Sequence, residues 1–414
     1  MSVITRGTSV GRIGLLWCAY EFLNDFILLY ALETLLFVDT GLSTGEITSL
    51  LIAWSLTSVL LEVPSGVLAD VLPRRLLLTI APLLRSVGYG LWVAFPSYPA
   101  FLAGFVLWGV SGALQTGATE ALVYDNLKHH RATDRYATYA GRARASQTVA
   151  VLIAMLLTPT VYALGGYAAL GIGSVAVCAL AAVVALAMPE HREERHAEFD
   201  GLRAYGRTLL AGLREVRGSR VVMFSVAMVA IVPAIWGSLE EFAALLAVEF
   251  GAGKPLVPYL VAALTGGITV GALLAGRAER LSWRRLAAGL GLGAAVTVTA
   301  GLYGGIAGFL LLLPAFAMFN AAGVVAEVRL QNAITGPARA TVTSVAGLSL
   351  EASSIVIYAA YALAASQVGH GGAFALSGVG YGLVALAIIV VVSVSARRPP
   401  RRQVKAFDQP GLGA

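Results

Sequence analysis

Three residues in the first apolar run carry the strongest chemical signal of the chain. Glu21, Asn24 and Asp25 stand at i, i+3 and i+4, so a helix puts them on one face. Carboxyls grouped with an amide can bind a cation, hydrogen-bond a polar solute, or take up and release a proton. At a rise of about 1.5 Å per helical residue, Asp25 lies about 20 Å into its run, near the middle of a bilayer core about 30 Å thick. Glu351 lies at a similar depth, about 20 Å beyond Arg339. An ionised side chain there is costly on every insertion scale, so such residues are functional or paired. Asp25 and Glu351 are therefore the candidates for proton coupling, and the face of Glu21, Asn24 and Asp25 is a candidate substrate contact. The competing reading is that these groups are hydrogen-bonded and only hold helices together.

Other polar groups fall at definite levels. Gln115 and Asn320 lie near mid-depth in their runs, and Trp236 adds an aromatic group. Glu33, Glu240 and Glu241 fall in outer thirds, where they form either an acidic vestibule or a water-exposed rim. Arg85 matches Glu62 in depth on the neighbouring run, which suggests an ion pair, because a lone buried charge is expensive. Glu120 and Asp125 close the fourth run while Arg142 and Arg144 open the fifth. These are expected to pair, either as a gate or as packing. All five histidines (129, 130, 191, 196 and 370) fall in loops, so neither a histidine relay nor a metal site is expected in the membrane. No Walker loop and no Gly-x-Ser-x-Gly turn is present, which argues against ATP-driven pumping and serine hydrolysis. No cofactor is implied. Cys18 and Cys178 both fall within apolar runs, so no disulfide is expected.

The elements that must position these residues are membrane helices. The chain is 58% hydrophobic and 13% charged, against about 25% charged in soluble proteins. Apolar runs of about 20 residues recur along its length, which predicts an all-α membrane protein. Spans are expected over 12–37, 46–70, 75–96, 99–127, 139–163, 168–188, 220–249, 256–278, 284–303, 305–333, 338–367 and 372–396, or twelve in all. The runs are too long, and alternate too little, for a barrel. The net charge of +6 is distributed unevenly. Nearly all Lys and Arg fall in one alternate set of loops and helix ends; Lys254 lies in the other set and Arg85 deep in a span. That asymmetry puts both termini in the cytoplasm of a protein of the inner (plasma) membrane, and it leaves no reason to expect nucleic acid. The first run contains Glu21, Asp25 and Glu33 and is too long for a cleaved signal peptide.

Residues 189–219 are the one long polar interval. They separate residues 1–188 from 220–396, and 397–414 form a tail. Phe199, Leu202, Leu209, Leu213 and Val216 recur at roughly helical spacing, so the interval is either a basic amphipathic helix on the membrane surface or a solvated linker. The two halves echo each other. Leu32-Glu33 matches Leu239-Glu240, and at the same offset Glu120 matches Glu327 and Asp125 matches Asn332. The many glycines, as in Gly266-Gly267-Ile-Thr-Val-Gly271, allow close helix packing.

The turn between the second and third runs reads Gly66-Val-Leu-Ala-Asp70-Val-Leu-Pro-Arg74-Arg75. It resembles the loop between helices 2 and 3 of the major facilitator superfamily of secondary transporters. It departs from that pattern at Val71, usually Arg or Lys, and at Pro73, usually Gly. A second copy runs from Gly276 to Arg284-Arg285, with Arg280 in place of Asp70. Gly117-Ala-Thr-Glu-Ala-Leu-Val-Tyr-Asp125 and Ala338-Arg-Ala-Thr-Val-Thr-Ser344 also look like segments of that superfamily. The family's helix 5 antiporter motif is not matched, since Pro159 and Gly165-Gly166 are wrongly spaced. Its helix 4 arginine is absent too, with Trp108 near that place.

The resemblance implies two pseudo-symmetric six-helix bundles that rock about a central cavity, with Gly66, Asp70, Arg74 and Arg75 acting in cytoplasmic gating. The resulting expectation is a monomeric secondary transporter of a small organic solute. Proton coupling is expected, with a lean towards export of an amphipathic or cationic compound. An uptake symporter of a small metabolite is the alternative. A non-transporting sensor or enzyme on the same fold is the alternative of another class, but no cluster of catalytic groups supports an enzyme.

Overall fold

A computed structural model describes residues 2–191, 212–334 and 339–396. The tail and most of the polar interval, including Phe199, Leu202 and Leu209, lie outside the described residues. All regular structure among the described residues is helical. In chain order the helices are α1 (Ser2–Asp25), α2 (Glu33–Asp39), α3 (Thr44–Val71), α4 (Arg74–Ala94), α5 (Tyr98–Gln115), α6 (Ala118–His129) and α7 (Tyr136–Ala187). They continue with α8 (Arg220–Glu241), α9 (Ala243–Glu249), α10 (Val257–Ala278), α11 (Trp283–Tyr303), α12 (Gly305–Ala333) and α13 (Arg339–Ala396). Nine helices among the described residues are long and apolar enough to cross a membrane.

Local chemistry explains where many helices start and stop. Ser43 and Glu46 form a reciprocal capping box at the start of α3. Ser282 accepts from the Arg285 amide at the start of α11. Leu72 and Pro73 make the turn into α4 with φ of −86° and −58°. No left-handed residue is needed there, so Pro73 is accommodated where the resembled family has Gly.

Two very long helices are broken at glycines. In α7, Gly166 takes φ of 61° next to Gly165. In α13, Gly369 takes φ of 72°, and the Glu249 carboxylate accepts from the amides of His370 and Gly371 at 2.7 Å each, capping the second arm. Both breaks fall in gaps between expected spans.

Three expected spans are not continuous. The run 12–37 leaves the helix after Asp25, passes through a 3-10 turn over Tyr30–Leu32 and resumes as α2. The run 220–249 breaks at Phe242, and 99–127 breaks at Thr116-Gly117, where Gly117 has φ of 73°. Apolar periodicity cannot register such breaks, because the residues on both sides remain apolar.

Most packing lies within residues up to 191 or within residues from 212 onward. The two parts meet chiefly where α3 lies on α13 and α7 on α10, with α2 and its preceding turn against α9 and α10. Close approach within the second part depends on Gly271. A Cβ there would stand 2.2 Å from the Ala317 carbonyl oxygen of α12. Val216 packs with Val222, Val226, Leu330 and Val342, so residues 212–218 belong to the second part.

Candidate functional site

The break after Asp25 shapes the site. It frees backbone groups at Leu28 and Leu29, and buried backbone groups need partners. Two hydroxyls of α7 supply them. Ser174 Oγ accepts from the Leu29 amide at 3.2 Å, and Thr158 Oγ1 donates to the Leu28 carbonyl at 2.8 Å. The chain then turns so that Tyr30 and Glu33 face the second part. In the second part the break at Phe242 is held by stacking on Tyr361, with ring centroids 4.0 Å apart. Glu240 and Glu241 stand just before it.

These two breaks bring three glutamates to one cavity of about 250 Å³. Its principal lining is Tyr30, Glu33, Trp54 and Trp108 from the first part with Glu240 and Glu241 from the second, and the remainder is mostly apolar. Glu33 is only 5% exposed, and its Oε2 has no hydrogen-bond partner among the described residues. The aromatic wall is ordered. Trp108 stacks on Tyr30 at 5.4 Å between centroids, lies 5.4 Å from Trp54, and is backed by Phe105 at 5.8 Å. Among the described residues, no Lys, Arg or His lines the cavity.

A second polar group lies beside α1. Asn24 Nδ2 donates to Gln115 Oε1 at 3.0 Å, and Gln115 Nε2 donates to Ser111 Oγ at 3.1 Å. The buried guanidinium of Arg85 donates to Asn24 Oδ1. Arg85 and Arg144 are the cations whose fields reach Asp25. Arg85 comes from α4, so its influence on Asp25 could not be read from α1 by itself. Glu62, the expected partner of Arg85, lies with its side chain outside the described residues. Both oxygens of Glu21 are taken, by Trp17 Nε1 at 3.0 Å and Gln147 Nε2 at 2.6 Å. Glu351 is half-buried with the Ser55 hydroxyl of α3 beside it. Asn320 donates to the Ile268 carbonyl at 2.7 Å and ties α12 to α10. Trp236 is half-buried and its Nε1 has no partner among the described residues.

At the arginine-rich face, Arg74 Nη1 meets Asp125 Oδ2 at 2.6 Å, and the Arg74 amide donates to Glu190 Oε1 at 2.7 Å. Asp125 was expected to pair with the arginines opening α7. Its partner is Arg74 instead, because the bend at Gly117 redirects α6 towards the start of α4. Arg142 lies 6.0 Å over the Tyr139 ring, and Arg144 donates to Gln147 at 3.2 Å. Glu120 and Arg75 are exposed, as is Gly66. The Asp70 side chain lies outside the described residues. His191 Nδ1 is 2.7 Å from Asn126 Oδ1, and its ring stacks on His129 at 3.9 Å. Burial, then the neighbouring His129 and His130, lowers the His191 pKa from its usual value.

At the opposite face, Lys254 of the second part meets Asp39 of the first at 2.5 Å, and Tyr167 also donates to Asp39 at 2.7 Å. Sequence reading missed this tie, and it missed Tyr30 and Trp54. An aromatic residue in a membrane helix gives no signal that separates a cavity wall from a lipid face. Lys254 did carry a signal, as the one basic residue on its side.

With this geometry in view, the comparisons are informative. A sequence profile of the Major Facilitator Superfamily matches residues 18–349, and the chain belongs to that family. No curated protein matches the chain significantly. Among solved structures, the nucleoside transporter NupG is similar with a TM-score of 0.72 at 13% identity, covering 94% of this chain and 99% of that one. A bacterial homolog of the human lysosomal transporter Spinster, in an inward-facing and unoccupied conformation, gives 0.66 at 15% identity, with 96% and 99% covered. A D-xylose-proton symporter gives 0.66 at 13% identity, with 93% and 97% covered. At such identities the likeness shows the fold alone. Family and fold together mark the chain as a multi-pass membrane protein of a transporter family.

Proposed function

We propose that this protein is a monomeric secondary transporter of a small organic solute, working by alternating access between two six-helix bundles and driven by a proton gradient. Nine apolar helices among the described residues, two of them double, together with the broken first crossing support a reading of twelve passes. The observation that carries the reading is the buried cavity at the meeting of the two parts. Its acids come from repeat-related positions, Glu33 and Glu240. A site shared by two halves changes its exposure when they rock, and a carboxyl there can exchange a proton on each side in turn.

Positive charge concentrated on the Arg74 face supports a cytoplasmic location for that face and for both termini, in the plasma membrane. The Asp39–Lys254 tie then closes the outer side. An acidic, aromatic cavity that faces the cytoplasm when the outer side is closed suits export. Glu351, beside Ser55 of the first part, and Asp25, within the field of Arg85, remain second candidates for the proton, and the Arg74–Asp125 pair with Asp70 and Arg75 is the candidate cytoplasmic latch.

The test is flux in proteoliposomes under an imposed pH gradient, with tritiated cationic, neutral and anionic solutes in turn. Proton-driven movement of one class, lost in Glu33→Gln while solute-for-solute exchange persists, supports the reading. No gradient-dependent flux of any class, from protein shown to be folded, contradicts it.

A further inference from the structure

We propose that the cavity is built for a small organic monocation, an alkylammonium with an apolar or aromatic substituent, held by Glu33, Glu240 and Glu241 beside the aromatic wall of Tyr30, Trp54 and Trp108. This rests on the transport reading and specifies the substrate class of the same site.

Charge comes first. Among the described residues, three carboxyls line the cavity and no cationic side chain does. Glu33 is buried with one oxygen unpartnered among the described residues, and an ionised carboxyl without a donor is expensive to bury. Two neighbours remove that cost: a proton, or a cation in the cavity. Among the described residues, no group of three or more His, Cys, Asp or Glu converges closely enough to hold a metal ion.

The wall supplies the second argument. Tyr30, Trp54 and Trp108 line the cavity beside the carboxyls, and a cation set against an aromatic ring system is attracted by its π-electrons. Val151, Met155, Ala244 and Val261 complete an apolar lining suited to the substituent. A volume of about 250 Å³ falls just below the range of drug-sized pockets, about 300–1,000 Å³, so the ligand is small.

Coupling follows from the shared seat. A proton and an ammonium compete for the same carboxyls, so each cation bound releases proton charge from the site. Facing these carboxyls are Tyr30 and Tyr89 near Glu33, Glu241 near both Glu33 and Glu240, and Tyr358 near Glu240 and Glu241. Arg85 acts on Tyr30, Tyr89 and Asp25.

The test compares benzyltrimethylammonium with its uncharged carbon isostere, neopentylbenzene, on purified full-length protein, by tryptophan fluorescence and calorimetry. The expected result is saturable binding of the cation, at least tenfold tighter than the isostere. Binding should weaken at least tenfold from pH 8 to pH 5, and at least tenfold in Glu33→Gln and in Trp108→Leu. Comparing the two ligands on the wild-type chain needs no variant to fold. Equal binding of cation and isostere, or no binding of the cation, overturns the proposal, as does undiminished cation binding in folded Glu33→Gln. These measurements involve no gradient. They can fail while proton-driven flux of another solute class succeeds, which would discard the cation and keep the transporter.

Discussion

Glu21 and Glu33 belong to the same expected first crossing, yet their surroundings differ. Trp17 and Gln147 take both oxygens of Glu21, while Glu33 in the cavity keeps one oxygen with no partner among the described residues. Sequence reading put its weight on the face of Glu21, Asn24 and Asp25, because depth was counted along one unbroken helix. The chain leaves the helix after Asp25, and the turn that follows is what aims Glu33 at the second part. Asn24 and Gln115 are legible as polar groups at one level, and they do meet; Arg85, which donates to Asn24, is matched by depth to another run.

At the arginine-rich face, His191 gives a test at this scale. Its pKa is lowered in the folded protein from the ordinary 6.5, so below that value the unfolded chain holds more protons than the folded one. Its contribution is fully present above about pH 6.5 and declines as the pH falls towards the folded-state pKa. His191→Gln should flatten part of the acid-side fall in melting temperature between pH 7 and pH 5. Unchanged pH profiles for the two proteins would show that the imidazole is not held neutral.

Helices in this chain are punctuated by positions that periodicity does not see. The breaks at Gly166 and Gly369 were legible, because glycines interrupt runs too long for one crossing. Those at 26–32 and at Phe242 were not, since Phe, Ile and Leu fill them and satisfy any apolar pattern. What holds the first break open is a pair of hydroxyls on α7, and that dependence is testable. Thr158→Val keeps the volume but leaves the Leu28 carbonyl without its side-chain donor, which should cost about 1–3 kcal/mol. Thr299→Val, where the hydroxyl is exposed and donates only within its own helix, should change stability by less than about 0.5 kcal/mol. Thermal melts in detergent would compare the two, and equal effects would remove the special role of Thr158.

For the whole molecule, the membrane class, the helical fold and the family were legible from composition, run length and the Gly66–Arg75 turn. The contact between the parts was not, because it depends on which faces of α3, α7, α10 and α13 meet. In this conformation the Lys254 face is tied across the parts by Asp39, Lys254 and Tyr167. A half-exposed ion pair of this kind is worth at most about 1 kcal/mol, so it can break and reform in a transport cycle. Alternating access requires the two faces to open in opposition.

The most direct measurement places spin-label pairs at Val38 and Leu256 near the Lys254 face, and at Arg135 and Arg280 on the arginine-rich face, and reads distance distributions by double electron–electron resonance at pH 5 and pH 8. The account predicts that the two pairs shift in opposite directions between those values, and that Glu33→Gln removes the shift. Distances that stay fixed at both faces, or that lengthen and shorten together, would contradict it.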